Sequence, residues 1–105
     1  MYKTYEIVTF RLKPETEEAV YIAETKKLER EFLGKLPGFV DRETGVSEDG
    51  EWTVVLHWRS AEDAQASINK FVESEGTKSF TALIDMDTFE MKRFEMKDRY
   101  NLKDQ

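Results

Sequence analysis

Cysteine is absent from these 105 residues. Disulfides, thiolate catalysis and cysteine-held metals are therefore excluded. Histidine is nearly absent: His57 stands alone, and one imidazole cannot build a multi-histidine metal site. No apolar run approaches the length of a membrane span, and the N-terminal stretch has no signal-peptide core. Clusters of basic residues are also missing. Lys and Arg number 16 against 22 Asp and Glu, for a formal net charge of −6 and a pI near 4.9. The basic residues alternate with acids, as in Arg42-Glu43 and Lys97-Asp98-Arg99. A nucleic-acid partner is not expected from such a surface, because phosphate binding needs concentrated positive charge. No repeat, low-complexity segment or complete catalytic motif is present. The default expectation is a cytoplasmic protein with no membrane partner.

What is present describes one folded domain. Apolar residues make up 39% and charged residues 36%, a globular balance. Residues 1–97 carry the periodic patterns, and 98–105 form a polar tail. The stretch from Glu51 to Val72 organises the rest, as a buried strand running straight into a helix.

Before it, Tyr2 to Lys13 alternates β-branched and aromatic residues and predicts a strand with apolar groups on both faces. Pro14 suits a helix start, and Glu15, Glu17 and Glu18 suit its first turn. Tyr21, Leu28, Phe32 and Leu36 recur at helical spacing. Leu36-Pro37-Gly38 stops that helix. Phe39 to Ser47 reads as a more polar strand with Arg42 on the parity of Val40, Thr44 and Val46, and with Gly45 as a candidate bulge. Asp49-Gly50 marks a hairpin turn. Trp52 to Trp58 is the strongest strand: Trp52, Val54, Leu56 and Trp58 on one side, Thr53, Val55 and His57 on the other. Ser60 and Asp63 form a capping box. The second helix follows, broken at Ser74-Glu75-Gly76 and resumed through Phe80, Leu83 and Ile84, with Asp85-Met86-Asp87 as its last turn. Phe89 to Met96 is the final strand.

The order strand, helix, strand, strand, helix, strand is the ferredoxin-like βαββαβ arrangement, an α+β fold with a four-stranded antiparallel sheet. Both helices cover one face. The other face, roughly 400 Å² at usual strand spacing, approaches the largest apolar patch a monomer tolerates. A homodimer joined through that sheet face is expected.

Three stretches carry a resemblance. Leu36-Pro37-Gly38-Phe39, the junction Trp58-Arg59-Ser60-Ala61-Glu62-Asp63-Ala64, and Ser74-Glu75-Gly76-Thr77-Lys78-Ser79-Phe80 resemble the antibiotic biosynthesis monooxygenase-like family over residues 2–96. The resemblance implies a dimeric α+β barrel with a pocket between sheet and helices in each subunit. It also implies a cofactor-independent monooxygenase acting on a small aromatic or quinol-type substrate. The alternative is a non-catalytic dimeric ligand-binding or stress-related module of the same fold. The haem-degrading branch of that family implies a helix His near Thr77 and an Asn near Phe10, and neither is here. No cofactor is therefore expected.

The candidate site residues follow. His57 is the candidate base, since imidazole exchanges protons near neutrality; a surface or interface histidine is the plainer role. Trp58 is a candidate pocket wall, or a core aromatic that locks the strand–helix junction. Asn69 and Ser67 could hydrogen-bond a substrate carbonyl, or simply face solvent. Tyr5, Tyr21 and Phe71 could line the cavity, or only pack. Arg93 could meet an anionic ligand if it points inward, or form an interstrand salt bridge.

Overall fold

Alternating β-branched and aromatic residues make Thr4–Leu12 the central strand β1 of a computed structural model that describes residues 2–104. Helix α1 spans Glu18–Glu31, followed by strand β2 (Phe39–Val46) and strand β3 (Trp52–Trp58). Helix α2 covers Ala61–Glu73, a short helix α3 covers Lys78–Thr81, and strand β4 runs Ile84–Glu95. The four strands form one sheet in the order β2-β3-β1-β4, and every neighbouring pair is antiparallel. This is the ferredoxin-like α+β arrangement expected from the element order. No helix among the described residues is long and apolar enough to cross a membrane.

The period of two along β1 sorts its side chains. Thr4, Glu6, Val8 and Phe10 are buried on the inner, helix-covered face. Their partners across the ladder are Trp58, Leu56, Val54 and Trp52. The tryptophan set of β3 therefore lies under the helices, and Thr53, Val55 and His57 share the outer face with Tyr5, Ile7 and Thr9. Tyr21 and Leu28 of α1, Leu33, Ala64 of α2, Phe80 of α3 and Ile84 complete the core.

Helix α1 begins later than Pro14. The chain first makes a turn in which the Thr16 N–H donates to the Lys13 carbonyl (2.9 Å), and Glu17 is the N-cap. The helix also ends earlier, at Glu31, and a 3₁₀ turn at Leu33–Lys35 follows. That tighter turn rotates the apolar stripe, so Leu33 is buried while Phe32 and Leu36 are only half-buried.

The Pro37-Gly38 corner ties β2 to the start of α2. Gly38 sits at φ +79°, where side-chain-bearing residues are strained. A Cβ there would fall 2.0 Å from the Asp63 carboxylate. The same Asp63 accepts from the Ser60 hydroxyl (3.0 Å), and its own N–H caps on Ser60 Oγ (3.1 Å). The Arg59 N–H donates to the Gly38 carbonyl (2.8 Å). The capping box and the glycine corner are thus one unit.

Gly45 pairs regularly with Thr53, and the bulge of β2 lies instead between Phe39 and Asp41. At the hairpin turn Gly50 takes φ +90°. The Asp49 carboxylate, accepting from the Ser47 hydroxyl, is pulled below the usual carboxylate range mainly by that bond.

Asp85-Met86-Asp87 is not a helical turn. It belongs to the first part of β4, where Ile84 and Asp85 face Leu12 and Arg11. The register then shifts. Thr88 Oγ1 holds the shift, accepting from the Arg11 N–H (2.8 Å) and donating to the Asp85 carbonyl (2.6 Å). A polar stretch fits a bulge on an edge strand, which discourages unwanted pairing.

Candidate functional site

A cavity of about 630 Å³ lies between the sheet and helices α2 and α3. Val8 and Phe10 of β1 and Val54 and Leu56 of β3 form its floor, and Ser67, Ile68 and Phe71 of α2 form its roof. Val72 and the β4 residues Met86, Phe89 and Met91 also line it and are exposed. The cavity therefore opens between α2 and the β4 edge and runs across the sheet toward β2. Its size falls within the range of small-molecule pockets, and its lining is almost wholly apolar.

Two polar clusters flank it. On the β1–β4 side, Glu6 is buried and lines the cavity. It accepts from Trp58 Nε1 (2.9 Å) and from Arg93 Nε (3.1 Å), with Arg93 Nη2 at 3.0 Å. Arg93 also donates to Gln65 Oε1 (3.1 Å). The side chains of Glu6 and Arg93 are 4% and 27% exposed. This is a closed network, with one carboxylate meeting one guanidinium and one indole N–H.

On the β2 side, the Arg42 side chain is 4% exposed and lines the cavity. Nη2 donates to Thr25 Oγ1 (2.5 Å). The Glu29 carboxylate lies 3.8 Å from Nε and is itself 40% exposed. Arg42 Nε and Thr44 Oγ1 are buried without a hydrogen-bond partner among the described residues, and the Tyr21 hydroxyl lies beside Arg42 and Thr25. Burial pushes the Tyr21 phenol above its ordinary value, against the opposing charge of Arg42. Burial also pulls the Arg42 guanidinium down, against the opposing pull of Tyr21 and Glu29.

The sequence candidates divide between the faces. Phe71 and Ser67 line the cavity. Tyr21 and Trp58 are buried beneath the helices but behind the lining, Tyr21 against Phe10, Trp52 and Phe80 and Trp58 against Phe39. Arg93 points inward and meets Glu6. Asn69 is exposed and accepts from Gln65 Nε2 (3.3 Å). His57 and Tyr5 lie on the outer face, away from the cavity. The His57 ring sits 4.0 Å from that of Tyr2, and its Nδ1 is 2.5 Å from Asp41 Oδ1. Tyr5 stacks on Phe94 at 5.2 Å.

Glu6 and Arg42 were not among the sequence candidates. Each carried a partial signal: Glu6 shares the parity of Val8 and Phe10, and Arg42 that of Val40, Thr44 and Val46.

No family profile and no curated protein matches the sequence. Solved structures do match. SnoaB, a cofactor-independent oxygenase from Streptomyces nogalater, superposes with a TM-score of 0.71 at 16% identity, covering 97% of this chain and 98% of its own. A monooxygenase from the gene ActVA-Orf6 of Streptomyces coelicolor, solved with the ligand Nanaomycin D, gives 0.70 at 16% identity, covering 95% and 92%. A conserved protein from Methanosarcina mazei Go1 gives 0.68 at 18% identity, covering 92% and 95%. The chain thus shares the fold of the antibiotic biosynthesis monooxygenase-type proteins.

Proposed function

We propose that the cavity binds a small, flat, largely apolar molecule, and that the protein is a cofactor-independent monooxygenase of an aromatic or quinol-type substrate. The observation that carries this reading is the open apolar cavity of about 630 Å³ beneath α2, in a fold shared with an oxygenase that works without a cofactor. Phe71 offers an aromatic edge to the substrate, and the apolar floor keeps water from the reacting carbon. An ionised phenol gives an electron to O₂, the two radicals combine at a ring carbon, and loss of water from the hydroperoxide leaves a quinone. One oxygen atom enters the product and the other leaves as water.

His57 belongs to the outer sheet face in this reading, where a second copy packs against Tyr5, Ile7, Val55 and Phe94. Its distance from the cavity favours one other reading, a binding module without turnover, because the candidate base does not reach the ligand space. Oxygen uptake with a hydroxynaphthalene separates the two. Consumption of one O₂ per quinone formed, lost when Ser67→Phe fills the cavity in a still-folded protein, supports the enzyme. Ligand binding without uptake supports the module.

A further inference from the structure

Arg42 differs from the other cations at the cavity. Arg93 is matched by the buried carboxylate of Glu6 at 3.0 Å. Lys78 is exposed and paired with Glu75 at 2.9 Å. Arg42 is buried at the end away from the β4 mouth, and its carboxylate, Glu29, stands 3.8 Å off and half in water. Its Nε has no hydrogen-bond partner among the described residues, and neither does the buried hydroxyl of Thr44 on the same strand. The Phe80 ring stands 5.8 Å from its guanidinium carbon. Unpaired polar atoms in an apolar interior are costly. The same features suit an incoming anion. A guanidinium presents several N–H groups in a fixed fork that fits a carboxylate, and the low-dielectric surroundings strengthen the attraction.

We infer that Arg42 receives an anionic oxygen of the ligand, so that the cavity takes a flat apolar molecule bearing a carboxylate or an ionised phenol or enol. The inference rests on the cavity being the ligand site. The ring lies over Val8, Val54 and Leu56, and the anionic end reaches β2.

Isothermal titration with 2-naphthoate and with its uncharged counterpart 2-naphthamide tests this. The native protein is expected to bind the naphthoate at least about tenfold tighter than the amide, as a charge-assisted bond allows. Arg42→Gln and Arg42→Met should each abolish that preference, whereas Lys78→Gln should keep it. Equal affinity for the two compounds in the native protein, or a preference that survives in the Arg42 variants, overturns the inference and leaves the cavity as a ligand site. Binding of neither compound overturns both the inference and the proposed function. The native-protein comparison stands even if a variant fails to fold.

Discussion

Two arginines face inward from the two edge strands of one sheet, and their surroundings are opposite. Arg93 on β4 meets Glu6, which also takes the Trp58 indole N–H. Arg42 on β2 meets one hydroxyl at close range and a partly solvated carboxylate at 3.8 Å, and its Nε has no hydrogen-bond partner among the described residues. A buried charge in a completed network specifies structure, because losing one member strands the others. A buried charge in an incomplete network stores interaction capacity that a ligand can use. The first cluster serves as framework and the second, on our inference, as recognition.

Substitutions break the comparison in opposite directions. Glu6→Ala strands Arg93 and the indole N–H, and should lower unfolding free energy by about 3 kcal/mol in urea titration. Joint replacement of Glu6 and Arg93 by methionine should recover most of that loss. Trp58→Phe leaves one oxygen of Glu6 without its donor and trims the core, costing about 2 kcal/mol by the same measurement. Arg42→Met removes a poorly compensated buried cation while keeping apolar bulk. It should change stability by less than about 1 kcal/mol, and toward greater stability. A loss as large as that of Glu6→Ala would erase the distinction between the clusters.

The smallest effect is a pH effect at Tyr21. Its folded-state pKa is raised above the ordinary value. The neutral phenol is therefore favoured in the folded state. Its contribution to stability is whole below about pH 10, the ordinary tyrosine value, and declines as pH rises through the folded pKa. Phenolate absorbance should show a late step above the ordinary tyrosine range, and Tyr21→Phe should remove it.

Much of the fold was legible because single residues carried strong local signals. Alternation through β1 and β3, the Ser60–Asp63 cap and the Asp49-Gly50 turn all depend on near neighbours. The errors fell where distant partners decide. Asp85-Met86-Asp87 joins β4 because Leu12 and Arg11 pair with that region and Thr88 closes the bulge. No helix-versus-strand pattern within the segment shows this. The site was half legible for the same reason. Phe71 follows from helical periodicity, while alternation gives Arg93 only the parity of Phe89 and Met91 and the structure turns it inward. The separation of His57 from the cavity follows from which face of β3 the helices cover, a choice the strand pattern leaves open. Arg42 was visible as a charge on an alternating strand, but its surroundings come from α1, with Thr25 seventeen residues earlier and Glu29 thirteen.

The most direct test of the cavity as the ligand site is nuclear magnetic resonance mapping of the native protein titrated with 2-naphthoate. Shifts concentrated at Val54, Ile68, Phe71 and Arg42, with Tyr5 and His57 unmoved, are the predicted result. Shifts at Tyr5, His57 and Phe94 with a silent cavity would place binding on the outer sheet face and contradict it.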